Sequence, residues 1–149
     1  MPQTYTCLHY HLIFSTKHRE PIITPDVRPR LWEYLGGTVR GLDGIPILVD
    51  GTADHVHLLV TLRQLPALAD FMRDLKAGAS SWVHDTFPEL RGFAWQAGYG
   101  AFTVSHSGID AVKAYIANQE EHHRKQTFQD EFREFLRRHG IEFDEKYLW

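Results

Sequence analysis

Two short runs, Ile45 to Asp50 and His55 to Leu62, are rich in Ile, Val and Leu and are separated only by Gly51 to Asp54. That spacing suits a β-hairpin, and a hairpin is stable only when one face is buried against something else. Thr4 to Ser15 (TYTCLHYHLIFS) reads as a further long strand, and Phe93 to Val104 (FAWQAGYGAFTV) as aromatic strand pieces around a turn flanked by Gly98 and Gly100. Helices fall between the strands. Thr24 offers an N-cap with Pro25 at the first helical position, ahead of the stripe Leu31, Leu35 and Val39. Pro66 opens a second helix running to about Phe87, with Leu68, Phe71, Met72 and Leu75 on its buried side. A third starts at Ser107 or Gly108, with Ile109, Val112 and Ile116 on one face, and a fourth runs from a Thr127 cap through Arg138 to a stop at Gly140. Strands interleaved with helices and including a hairpin fit an α+β fold in which helices cover an antiparallel sheet. No repeat or linker divides the chain, so residues 1–149 read as one domain.

A hydrophobic content of 43% supports a packed core, and no segment approaches the roughly 20 apolar residues of a membrane span. The N-terminus has no signal-peptide pattern and the lone Cys7 has no disulfide partner, so a reducing cytoplasm is the expected compartment. The formal charge of −3 does not favour nucleic acid, which leaves any such partner to be argued from local features.

In HVHLLV, His55 and His57 stand two residues apart on a strand and share one face, roughly 7 Å apart, while Val56 and Leu58 face the core. The pair can converge on a metal ion; the competing reading is a polar, exposed sheet face. Asp54 alternates to the opposite face and is a weaker ligand candidate. Cys7, His9 and His11 also alternate and offer soft zinc ligands, without a fourth; a structural role in the strand is the simpler reading. On the helix from Gly108, Tyr115 and Gln119 lie one turn apart, beside Asn118 and His122. A tyrosine at the rim of an apolar stripe is ordinarily structural. With an amide oxygen one turn away, it also fits a nucleophile brought to a metal-polarised phosphate.

Taken together, HVHLLV with Gly51, Thr52 and Asp54 ahead of it, WQAGYGAFTVS (Trp95 to Ser105), YIANQ (Tyr115 to Gln119), EHH (Glu121 to His123) and the final KYLW resemble the single-tyrosine HUH transposases of the insertion sequence 200/605 group. The resemblance spans nearly the whole chain and implies a ferredoxin/RRM-like HUH core. It makes Tyr115 the nucleophile and His55, His57 and Gln119 the ligands of a divalent metal. It further implies single-stranded DNA with hairpin ends as substrate, a 5′-phosphotyrosine intermediate, and a homodimer in which the tyrosine helix of one subunit serves the histidines of the other. Ligand softness favours Mn²⁺ and abundance Mg²⁺, and either is expected to support activity.

For DNA contact the local basic residues are Lys17 and Arg19 after the first strand, Arg73 and Lys76 on one face of the second helix with Ser80, and Arg124 with Lys125. Tyr99, between two glycines, is a candidate for stacking on an unpaired base. Three other readings compete. A histidine phosphoesterase or histidine-triad hydrolase needs motifs that Leu58 and Leu59 interrupt. A non-catalytic single-strand binding module leaves Tyr115 and Gln119 unexplained. A relaxase or replication initiator shares the histidine pair and tyrosine but usually sits in a longer chain.

Overall fold

The computed structural model describes residues 3–149. Four strands, β1 (Leu8–Ser15), β2 (Ile45–Gly51), β3 (His55–Leu62) and β4 (Gly100–Val104), form one sheet in the order β2-β3-β1-β4. Every neighbouring pair is antiparallel. The hairpin read from the sequence is β2–β3. Its connector is fastened at both sides: Thr16 donates its N–H to the Asp54 carbonyl at 2.8 Å and Ile23 to that of Ala53 at 2.9 Å. Gly51 is required at the turn, because a Cβ there would lie 2.2 Å from the His55 carbonyl oxygen. Gly51→Ala is therefore expected to lower unfolding free energy by about 3 kcal/mol or more in urea titration, beyond the range of ordinary point substitutions.

Helices cover both faces of the sheet. Leu12, Phe14, Val56, Leu58, Val60 and Leu62 meet α1 (Arg28–Gly41) and α2 (Leu68–Thr86) through Leu31, Leu35, Val39, Phe71, Met72, Leu75, Ala79 and Val83, forming the larger core. By strand alternation the residues between them face the other way. There Ile13 and Phe102 pack with Phe128, Phe132 and Leu136 of α5 (Phe128–Arg138). The approach of α5 is close: a Cβ on Gly100 would stand 2.6 Å from the Phe132 ring. Thr127 caps α5 by accepting from the Asp130 N–H at 3.2 Å, and Gly140, at φ 66°, ends it, as the sequence predicts.

Four boundaries differ from the sequence reading, one of them α2, which opens at Leu68 rather than Pro66. The first strand begins at Leu8 rather than Thr4. Residues 25–27 form a turn on the Thr24 carbonyl, so α1 starts only at Arg28. Trp95 makes a single bridge to Thr16, leaving one short strand, β4, where two pieces were expected. The fold class stands as read: an α+β antiparallel sheet between helices.

Candidate metal and tyrosine site

The second sheet face is not solvent-exposed. His55 and His57 are each 0% exposed beneath α3 (Ile109–Ala117), α4 (Gln119–His123) and α5, which removes the exposed-face reading of their alternation. A buried imidazole needs partners for both ring nitrogens. His55 Nδ1 lies 2.8 Å from Asp54 Oδ1 and 2.9 Å from Thr52 Oγ1. Burial alone would raise the Asp54 carboxyl, but the His55 hydrogen bond and charge outweigh it and hold it below its ordinary value. Asp54 is thus an ionised acceptor for the His55 Nδ1 proton, an arrangement that in the neutral ring leaves Nε2 as a lone pair facing inward. That lone pair meets Gln119 Oε1 at 3.1 Å and Glu131 Oε1 at 3.8 Å.

His57 is held in the same manner. Its Nδ1 is 2.7 Å from His11 Nε2, and its Nε2 is 3.0 Å from Glu131 Oε1. Burial lowers His57 to about 4 and His11 well below its ordinary range, so both rings are neutral near pH 7 and share one proton in the hydrogen bond between them. Without a cation His57 Nε2 donates to the Glu131 carboxylate; with the ring proton on Nδ1 instead, toward His11, Nε2 offers a lone pair to the centre. His57, His55, His123 and Glu131 each place one ligand atom within 4.8 Å of the others. Lone pairs of imidazole, amide and carboxylate converging on one point repel unless a cation or proton lies between them. This buried donor set can hold a metal ion, and the Asp54 and His11 contacts orient its imidazoles as outer partners do in metal sites.

Tyr115 sits on α3 and donates its hydroxyl to Glu131 Oε2. Burial, then the charge of Glu131 and the hydrogen bond to it, push the phenol well above its ordinary value, so it is protonated. For Glu131 burial alone would raise the carboxyl; hydrogen bonds from His123 and His57, the His57 charge and the Tyr115 hydroxyl prevail and hold it far below the usual carboxylate range. An ionised carboxylate that is 2% exposed therefore links the tyrosine hydroxyl to the histidine pair inside one chain.

The four residues singled out from the sequence, His55, His57, Tyr115 and Gln119, thus lie together. The sequence places Tyr115 and Gln119 on one helix, but that helix is not continuous through both. It breaks at Asn118 (φ −108°, ψ 30°) and restarts as α4. The break turns His123 inward, 3.2 Å from Gln119 Oε1, and leaves His122 packed on the Tyr115 ring with centroids 4.4 Å apart. Sequence reasoning gave His11 a structural role in its strand, quoted His123 only within the EHH segment, and passed over Glu131. Glu131 had a signal: it stands three residues after Phe128 and one before Phe132, inside the apolar stripe of an amphipathic helix, where a charge is costly unless partnered.

Of the basic residues, Arg19 borders a cleft of about 560 Å³ that reaches Asp54 and His123 and is also lined by Arg28 and Arg124. Arg19 Nε is buried without a hydrogen-bond partner, and its guanidinium lies 5.7 Å from the Trp149 ring centroid. Lys17 is in the turn before it. Arg73 is exposed and paired with Asp70 and Asp74, each at 3.2 Å. Lys76, which burial pushes down to about 8, donates to the carbonyls of Gln96 at 2.7 Å and Gly98 at 2.8 Å. Its ammonium also stands 5.9 Å from the Tyr99 ring centroid.

Residues 4–119 match the family described as "Transposase IS200 like". The chain is 28% identical over 118 residues to the ISDra2 transposase TnpA of Deinococcus radiodurans, a match covering 75% of this chain and 84% of that protein. A crystal structure from Deinococcus radiodurans R1, described as a transposase, superposes with a TM-score of 0.66 at 27% identity, over 80% of this chain and 96% of that one. The structure of a REP-associated tyrosine transposase bound to a REP hairpin shares the fold, with a TM-score of 0.57 at 12% identity over 86% of this chain and 74% of that one. His123 and Glu131 lie beyond the matched span. With 116 of its residues inside the family match and a sheet of the same fold, the chain belongs to the IS200-like transposase family.

Proposed function

We propose that the chain cleaves and rejoins single-stranded DNA by transesterification, with Tyr115 as nucleophile and His55, His57 and Gln119 as metal ligands, joined by His123 and Glu131. The observation that carries this reading is the shared carboxylate: Glu131 accepts from Tyr115 through one oxygen and contacts His57 through the other. When bound to these residues, Mg²⁺ or Mn²⁺ supplies Lewis-acid neutralisation of charge on the scissile phosphate. The imidazole-rich donor set favours Mn²⁺ of the two.

In cleavage the Tyr115 oxygen forms a bond to phosphorus and the bond to the departing 3′ oxygen breaks; the tyrosine proton leaves through Glu131 Oε2 to solvent, and the departing 3′ oxygen takes up a proton from solvent. The products are a 5′-phosphotyrosine and a 3′-OH. Attack by a 3′-OH reverses the step onto a new strand. Because one phosphoester replaces another, no nucleotide cofactor is consumed. That the REP-associated tyrosine transposase is bound to a REP hairpin supports hairpin-bearing DNA as substrate here. The cleft lined by Arg19, Arg28 and Arg124 suits the phosphate backbone leading to His123. Lys17, Arg73, Lys76 and Tyr99 remain candidates for contacts farther along the strand. The reaction belongs in the cytoplasm, where the DNA is; among the described residues no helix is long and apolar enough to cross a membrane.

Tyr115 reaches Glu131 and the histidine pair of its own chain, which favours a site complete within one subunit. The family resemblance supports a second reading, a homodimer with the tyrosine helix exchanged. Strand-cleavage assays on hairpin-bearing single-stranded DNA separate them. Chelation should abolish cleavage and Mn²⁺ or Mg²⁺ should restore it; cleavage indifferent to metal removal contradicts the proposal. Mixing Tyr115→Phe with His57→Ala should leave cleavage at background for a within-subunit site. Recovery in the mixture establishes the exchanged arrangement.

A further inference from the structure

The histidines of β1 divide between two clusters. His11 turns to His57, as described above, whereas His9 turns to the opposite end of the strand. There His9 Nε2 is 3.2 Å from Cys7 Sγ and 3.0 Å from His106 Nδ1. The sequence pattern groups Cys7 with His9 and His11; in the fold the third member is His106, which is 97 residues from His9 in sequence. It arrives because β4 pairs with β1, placing Val104 opposite His9, and the turn His106–Gly108 follows directly.

We propose that Cys7, His9 and His106 form a second metal centre, for zinc or a similar borderline-soft divalent ion, separate from the tyrosine site. All three offer one ligand atom within 4.8 Å of the others. His9 is the anchor, with 8% of its surface exposed. Its Nδ1 stands 2.8 Å from Thr61 Oγ1 on β3, a hydroxyl that can accept the ring proton and leave Nε2 as a bare lone pair. A single lone pair is met by two further donor atoms, a convergence that one hydrogen bond does not satisfy. Tetrahedral zinc, with Zn–N near 2.0 Å and Zn–S near 2.3 Å, separates adjacent ligand atoms by roughly 3.3–3.6 Å. The gaps from His9 Nε2 to Cys7 Sγ and to His106 Nδ1 need open by only a few tenths of an ångström. One thiolate and two imidazoles form a mixed S/N set suited to zinc and poorly suited to Mg²⁺. The fourth position is left to solvent.

Such an ion joins three parts of the chain: the segment before β1, β1 itself, and the turn that leads into α3 at Ile109, the helix carrying Tyr115. Its role is a staple on the entry to the nucleophile's helix rather than a part in the phosphoryl chemistry.

Cobalt(II) gives a direct test on the full chain. Cys7 is the sole cysteine, so thiolate-to-cobalt charge-transfer absorption in the near ultraviolet can arise from no other residue. The tyrosine site, lacking sulfur, contributes none. Wild-type protein titrated with Co²⁺ should develop this absorption, equimolar Zn²⁺ should remove it, and excess Mg²⁺ should not. Cys7→Ser should abolish it, and His106→Ala should weaken Co²⁺ binding at this site by about tenfold or more. Both side chains are exposed, so the variants are expected to fold, with circular dichroism as the check. Absence of the charge-transfer band in wild type, or an unchanged affinity in His106→Ala, overturns the proposal.

Discussion

Glu131→Gln is expected to slow strand cleavage by about 10² to 10⁴-fold, the usual contribution of a positioned general base. The substitution preserves shape and keeps an oxygen for the histidines, but an amide neither takes the tyrosine proton nor neutralises a cation. In the native chain the carboxylate is 2% exposed and is met by His57 at 3.0 Å, by His123 at 3.4 Å and by the Tyr115 hydroxyl. Its charge is thus held by three partners, none of which is an arginine or lysine. Such an arrangement stores a carboxylate for a proton or a metal rather than for an ion pair. Single-turnover cleavage under saturating Mn²⁺ measures the chemical step apart from metal affinity. A Glu131→Gln protein that cleaves at the wild-type rate would show that the carboxylate only plugs the site beneath α5. A faster rate would mean that it restrains the tyrosine.

How much of this was readable in advance depends on whether the signal was local. His55 and His57 were legible because strand periodicity alone puts them on one face, and the four-residue connector fixes the hairpin that carries them. Tyr115 and Gln119 were legible as an i, i+4 pair, and their contact survives the helix break: Gln119 Nε2 remains 3.5 Å from the Tyr115 carbonyl. The break itself has no strong sequence mark, since Asn118 is neither Gly nor Pro. Only its φ/ψ reveals that His123, rather than His122, turns inward. His11 was read as strand framework. Its link to His57 depends on the β1–β3 register, which pairs Leu12 with Leu58 and Ile13 with His57, a long-range fact that no window of sequence carries. The same limit explains why Cys7 and His9 were grouped with His11 instead of His106.

The sequence reading also expected the second sheet face to be either metal-binding or exposed. The structure puts α5 over it, with Phe128 stacked on His55 at a centroid distance of 4.3 Å. The amphipathic stripe Phe128, Phe132 and Leu136 announced a buried helix face, but not which sheet face would receive it.

The second large effect is expected at Tyr115. Tyr115→Phe removes one oxygen and no ring packing: its contacts with His122 and Phe135 persist, at centroid distances of 4.4 and 5.7 Å. The lost hydrogen bond to a charged acceptor costs about 1–3 kcal/mol at most, because His57 and His123 still hold Glu131. Folding should therefore survive. Chemistry should not: without the phenol oxygen there is no atom to bond to phosphorus, and cleavage should fall by at least about 10⁴-fold, as for removal of other covalent nucleophiles.

The most direct measurement is to incubate the protein with Mn²⁺ and hairpin-bearing single-stranded DNA, digest the mixture, and locate the covalent adduct by mass spectrometry. The proposed mechanism requires a DNA phosphate on the peptide containing Tyr115, linked through the tyrosine oxygen, and no adduct in Tyr115→Phe. An adduct on another residue, or equal adduct formation by wild type and Tyr115→Phe, would contradict it.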